Sequence, residues 1–177
     1  LPAAMATIRR LLGAKAGDHL DGRRALVLGA GGVARTIAMG LVDAGARVVL
    51  AARDDGRRRR LAKDLSCEEV PWPSRHETVF DLLVNCTPVG MAPLTDATPF
   101  EVSRLPATAA VFDTIYRPRE TALIRGARGR GCAVAGGLDM FVDQAALQFG
   151  AFTGRPAPTA IMREAVELAL TEDGANP

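Results

Sequence analysis

Apolar residues recur along this chain in two alternating rhythms. Short continuous apolar runs, each closed by glycine or a polar turn, are followed by longer stretches with apolar positions three or four apart. In residues 2–12, Met5, Ile8, Leu11 and Leu12 have helical spacing, Arg9 and Arg10 turn outward, and Gly13 is a stop. Asp21 and Gly22 mark a turn. Strands are predicted at 24–28, 47–51, 80–86, 109–113 and 132–135, with a further one concealed near Val70 in the otherwise irregular stretch 66–78. Helices are predicted at 33–44, 56–65, 121–128, 138–152 and 159–170. In the helix at 138–152, Leu138, Phe141, Val142, Ala145 and Phe149 form the stripe expected to be buried, while Met140, Gln144 and Gln148 share another face.

Strand and helix in regular alternation predict an α/β fold: a Rossmann-like, doubly wound parallel sheet with helices on both faces. Residues 1–20 read as a lead-in helix and linker, 21–137 as the sheet domain, and 138–177 as C-terminal helices. With no strand after them, those helices either cap the sheet or pack on a second domain.

Composition narrows the possible functions. The length of 177 residues suits one domain, and 48% hydrophobic residues argue against disorder. A net charge of +2 provides no field that calls for nucleic acid or an anionic membrane, and no apolar run reaches membrane-spanning length. Three cysteines and two histidines form neither a disulfide framework nor a zinc pattern, so no metal is expected and a reducing cytoplasm is the expected setting. Cys86 and Cys132 read as small buried hydrophobes. Lys15 and Lys63 are the only lysines and read as surface residues, so nearly all positive charge is arginine. The chain starts at Leu1 and is expected to be a processed product, a fragment or a segment of something longer.

Gly29, Ala30, Gly31, Gly32, Val33 and Ala34 follow the first sheet strand and open a helix, the context a dinucleotide-binding loop requires. Gly29 permits the tight turn, Gly31 a close approach of backbone to pyrophosphate, and Ala34 close packing of helix on strand. The helix amides then face the phosphates. At the end of the second strand, where an NAD site wants an acidic side chain, the chain has Arg53, Asp54, Asp55 and Arg57. Arg53 and Arg57 can clasp a 2′-phosphate, which favours NADP; Asp54 and Asp55 keep NAD as the alternative. Arg58 and Arg59 read as solvating a helix surface.

Several segments together resemble the C-terminal half of the shikimate dehydrogenase family. Residues 29–35, ending in Arg35, are similar to its glycine loop. Arg53 and Arg57 fall on the basic positions of its Asn-Arg-Thr-x-Arg loop, where Ala52 and Asp54 depart from the pattern. Asn85, Thr87, Gly90 and Met91, with Pro88 and Val89 between, resemble its Asn-x-Thr-x-x-Gly-Met strand end. Asp113, Tyr116 and Pro118, then Thr121 and Leu123, match its Asp-x-x-Tyr-x-Pro segment. Gly136, Met140 and Gln144 match its Gly-x-x-Met-Leu-x-x-Gln-Ala helix, and Phe149, Thr153 and Gly154 continue the likeness.

The resemblance implies NADP-dependent interconversion of 3-dehydroshikimate and shikimate, in aromatic amino-acid biosynthesis. It places cofactor contacts at Gly29 to Arg35, Arg53, Arg57, Asn85, Thr87, Pro88, Val89, Gly136 and Met140, and substrate contacts at Tyr116 and Gln144. Taken alone, Met140 is also consistent with core packing, Gln144 with a surface amide and Tyr116 with a half-buried ring. The family's catalytic lysine and aspartate belong to a preceding substrate domain, in cis or as a separate segment, so no catalytic residue is assigned here. The alternatives are a quinate/shikimate dehydrogenase preferring NAD, a catalytically silent sensor, and a segment of a multifunctional enzyme of the same pathway.

Overall fold

The computed structural model describes residues 1–15 and 17–172. The last five residues of the 138–177 segment, and Ala16 of the 1–20 segment, lie outside the described residues. Six parallel strands, β1 (Arg24–Leu28), β2 (Arg47–Ala52), β3 (Glu68–Pro71), β4 (Leu82–Asn85), β5 (Ala110–Asp113) and β6 (Ala133–Ala135), form one sheet. Their order is β3-β2-β1-β4-β5-β6. The chain winds outward from β1 to β3, then returns to place β4 on the other side of β1. That reversal opens a crevice beyond the carboxyl ends of β1 and β4, where such sheets bind ligands.

The helices are α1 (Pro2–Leu11), α2 (Gly32–Asp43), α3 (Asp55–Leu65), α4 (Ala122–Gly129), α5 (Gly137–Thr153) and α6 (Thr159–Glu172). Alternation within the strands divides the core. Ala25 and Val27 of β1 meet Met5 and Ile8 of α1, Ile37 and Leu41 of α2, and Leu61 of α3. Leu26 and Leu28 face Leu123, Ile124 and Ala127 of α4, with Phe80, Phe100 and Leu105 from loops. Leu26, Val27, Leu83, Val111 and Phe112 are wholly buried, so truncating any of them to alanine is expected to cost about 2–5 kcal/mol. No described helix is long and apolar enough to cross a membrane.

One local expectation holds and two change. The concealed strand near Val70 is real: β3 pairs Glu69 with Leu50 and Val70 with Ala51 at the sheet edge. In α5 only Leu138 and Val142 of the expected stripe are buried, and Phe141 is exposed. Its ring instead stacks on Tyr116 with centroids 5.9 Å apart. Arg58 does not solvate the surface: it is 1% exposed, paired with Glu69 of β3 and Asp55, and donates to the Ala52 carbonyl at 3.1 Å. Arg59, as expected, stays exposed.

The C-terminal helices touch the rest of the domain through polar ties. Asp143 of α5 accepts from Thr7 at 2.9 Å and Arg10 at 2.8 Å, which fastens α5 to α1. Arg119 pairs with Glu167, and Arg163 with Asp139, each at 2.9 Å, which bind α6 to the β5–α4 loop and to α5.

Candidate functional site

The crevice is floored by the ends of four strands. Gly29, Ala30 and Gly31 after β1, Ala52, Arg53, Asp54 and Arg57 after β2, Trp72 after β3, and Cys86, Thr87 and Pro88 after β4 line one cleft of about 640 Å³. That size falls within the range of small-molecule and cofactor sites.

The glycine loop is shaped by close backbone contact on one side and open space on the other. Gly29 has φ +113°, and a Cβ there would lie 3.0 Å from the Cys86 carbonyl oxygen. Its amide donates to the Ala51 carbonyl at 2.8 Å, which fixes the turn to β2. At Gly31 and Gly32 a Cβ would meet nothing within 4 Å. Gly31 is the N-cap of α2, with no side-chain cap, and no acidic residue occupies the first turn. The helix thus presents unspent amides and the positive end of its dipole to solvent-accessible space. Those features fit the pyrophosphate of a dinucleotide. Ala34 is wholly buried against the sheet, whereas Val33 is half exposed. Arg35 turns away from the loop and pairs with Asp64 of α3 at 2.8 Å.

The β2 end supplies the charge. Arg53 is exposed on the cleft. Asp54 is the N-cap of α3, its carboxylate accepting from the Arg57 amide at 2.9 Å. The same carboxylate lies 3.4 Å from the Arg57 guanidinium and screens part of its charge. Two guanidinium groups and one capping carboxylate therefore share this corner, which fits a 2′-phosphate with a local opposing charge.

At the β4 end the sequence identifies a residue whose side chain does not reach the cleft. Asn85 is fully buried. Its Nδ2 donates to Asp113 at 3.0 Å and to the Val89 carbonyl at 3.3 Å. Its Oδ1 accepts from the Thr87 amide at 2.9 Å and hydroxyl at 2.7 Å. Asn85 thus folds the Thr87–Pro88–Val89 turn whose outer surface lines the cleft. Asp113 is also buried and receives the Thr121 hydroxyl and the Ile115 amide. Burial pushes its carboxyl above the usual range, and the bonds from Thr121, Ile115 and Asn85 pull it partway back. Burial, with Asp113 adding to it, also pushes the Cys86 thiol up, which favours its protonated form.

A second, more apolar groove lies on the other side of the glycine loop. Gly32 and Val33 of α2, Met140, Gln144 and Gln148 of α5, and Leu1 to Ala4 line it. Gly31 borders the first cleft and Gly32 the second, so the start of α2 joins them. Gly136 caps α5, and its amide donates to Asp139 at 3.2 Å. A Cβ on Gly137 would lie 2.6 Å from the Ile115 carbonyl carbon, so only glycine allows α5 to begin there. Tyr116 is 52% exposed and leans on Phe141, one turn before Gln144. The structure thus gathers Gly29 to Gly31, Arg53, Arg57, Thr87 and Pro88 in one cleft, and Met140 and Gln144 in the adjoining groove. Trp72 and Cys86 also line the first cleft, outside the contacts that the resemblance implies. Trp72, between Pro71 and Pro73 at the end of a short edge strand, belongs to none of the sequence motifs.

Known proteins resemble this chain in sequence and in fold. Residues 137–167 match the family model described as the shikimate 5'-dehydrogenase C-terminal domain. The chain is 42% identical over 167 residues to a shikimate dehydrogenase (NADP(+)) of Symbiobacterium thermophilum, covering 87% of this chain and 57% of that protein. It is 40% identical over 163 residues to one of Archaeoglobus fulgidus, covering 89% and 61%. The shikimate dehydrogenase of Thermus thermophilus, solved with NADP(H) and shikimate, superposes with a TM-score of 0.78 at 35% identity, covering 95% of this chain and 62% of that one. A quinate dehydrogenase from Corynebacterium glutamicum, solved with NAD, gives 0.78 at 31% identity, covering 92% and 59%. The chain spans about three fifths of the length of these relatives. By sequence and by fold, the chain is similar to the C-terminal part of shikimate dehydrogenases.

Proposed function

We propose that this chain is the cofactor-holding part of an NADP-dependent oxidoreductase that interconverts 3-dehydroshikimate and shikimate. The observation that carries the reading is the cleft in which an uncapped glycine-rich helix start meets Arg53 and Arg57. In this reading the α2 amides hold the pyrophosphate, Arg53 and Arg57 hold the adenosine 2′-phosphate, and Thr87, Pro88 and Val89 shape the wall leading inward. Gly136 and Met140 border the nicotinamide end, and Tyr116 and Gln144 face the substrate. When bound, the nicotinamide supplies hydride exchange at its C4. The protein's part is to fix the distance and the face of that exchange.

The groups that move the alcohol proton belong, in this proposal, to the portion of the relatives that has no counterpart here. That portion would also cover the apolar faces left by α1, α5 and α6, where Leu1, Leu147, Phe152 and Ile161 are exposed. Residues 138–177 then serve as the joint between the two parts. The setting is a cytoplasmic biosynthetic enzyme.

Calorimetry with NADP+ and NADPH on the 177-residue chain tests the binding role, with NADH as the comparison. The expected result is NADP(H) binding and little reduction of 3-dehydroshikimate by these 177 residues, with turnover appearing when the region matching the rest of the relatives is supplied. Tighter NADH binding supports instead the quinate/shikimate reading that Asp54 motivates. Substantial turnover by the chain alone overturns the division of labour, and the absence of any nucleotide binding overturns the whole reading.

A further inference from the structure

We infer that Trp72 is the wall against which the adenine base packs, an affinity-determining contact beyond the glycine loop and the two arginines. The inference rests on the dinucleotide reading above. It begins from placement. Trp72 follows directly on β3, the outermost strand on its side of the sheet, and lines the same cleft as Gly29, Gly31, Arg53 and Pro88. With pyrophosphate at the α2 start, the adenosine half extends across β2 toward this edge, because the 2′-phosphate ligands Arg53 and Arg57 lie there. The base must then lie beyond the ribose, where the cleft offers a large ring.

The indole is held ready for such a contact. It packs on the core below the sheet beside Val70, and the Arg75 guanidinium lies 4.0 Å from the ring centroid on one face. Arg75 is itself pinned, donating to the Pro99 carbonyl at 2.8 Å and the Trp72 carbonyl at 2.5 Å. A ring fixed on one side loses little freedom when a base packs on what remains open. Base stacking on an aromatic side chain is tolerant of base identity, so this contact adds affinity while the arginines select the phosphate.

Trp72 is the only tryptophan in the sequence, so its fluorescence reports on this cleft alone. The test titrates the 177-residue chain with 2′,5′-ADP, NADP+ and nicotinamide mononucleotide, following emission and heat in parallel. Saturable quenching by the first two, at the calorimetric midpoint, and none by the mononucleotide is the expected result. Trp72→Ala should weaken 2′,5′-ADP by about tenfold or more, whereas Trp72→Phe keeps most of the affinity; matching thermal unfolding of the Phe variant controls for folding. If 2′,5′-ADP releases heat but emission is unmoved and Trp72→Ala binds like the parent, the inference falls and the cofactor reading survives. If neither nucleotide binds, both fall.

Discussion

Thr121 Oγ1 donates to Asp113 Oδ2 at 2.7 Å, so the residue that caps α4 also holds the buried carboxylate at the end of β5. Two layers of the domain meet in that bond: the helix start on one face of the sheet, and the strand end that anchors Asn85 and the Thr87 turn.

Thr121→Val keeps the shape but removes the donor and the cap, and is expected to cost about 1–3 kcal/mol. It also has a pH signature. Burial already holds the Asp113 pKa above its ordinary value. The folded state therefore binds this proton more tightly than the unfolded chain does, and the resulting stability is full below the ordinary carboxylate pKa of about 3.9. It is lost as pH rises through the folded value. Without the Thr121 donor that loss should extend to higher pH. Urea unfolding at a series of pH values checks this, with Asp113→Asn as the variant in which the contribution is absent.

Arg58 joins α3 to β3 and to the last residue of β2. Arg58→Ala leaves Glu69 without its partner and frees the Ala52 carbonyl, so a loss of about 3 kcal/mol is expected by chemical denaturation. Arg53 follows Ala52, and the same variant should weaken NADP+ binding although Arg58 never touches the cleft. Unchanged nucleotide affinity would mean that the loop is held by other contacts.

The glycines of the loop should separate folding from binding. Gly29→Ala meets both a left-handed φ and the Cys86 carbonyl, so it should lower the melting temperature. Gly31→Ala, at φ −86° with open space before it, should leave stability within about 0.5 kcal/mol and yet weaken dinucleotide binding by putting a methyl into the proposed pyrophosphate site. Thermal melts and calorimetry on the two variants give the two halves of the answer.

Cofactor choice is expected to turn on one capping residue. Asp54→Thr keeps an N-cap and removes the charge that faces Arg57, so it should tighten NADP+ by several-fold and leave NAD+ nearly unchanged. Arg53→Gln should act in the opposite direction on NADP+ alone. The measured quantity is the ratio of the two dissociation constants; a parallel change in both would remove the 2′-phosphate from this corner.

The readable parts of the sequence are those governed by local chemistry. Continuous apolar runs place β1, β2 and β4 because strands buried on both faces need no polar alternation. The glycine loop is legible because backbone conformation dictates it. Features that depend on distant partners are not. Arg58 looks like one more charge in an arginine run until Glu69 of β3 folds beside it. β3 itself is short, carries Glu68 and Glu69, and lies at an edge, so it lacks the apolar run that announces a buried strand. Phe141 satisfies the helical stripe by spacing, yet Tyr116 offers it a surface stack instead. Asn85 stands out by its motif, but its side chain bonds inward, and only the folded chain separates a residue that lines a cleft from one that shapes the lining.

Gly137 gives α5 its starting point, pressed onto the backbone of Thr114 and Ile115 and bonded to the Ile115 carbonyl at 3.1 Å. A shift of even an ångström inward would drive the helix into that strand end. The contact therefore ties the helix that carries Met140 and Gln144 to the backbone next to Tyr116. Any displacement of the start of α5 relative to the Tyr116 segment would first have to break this backbone contact.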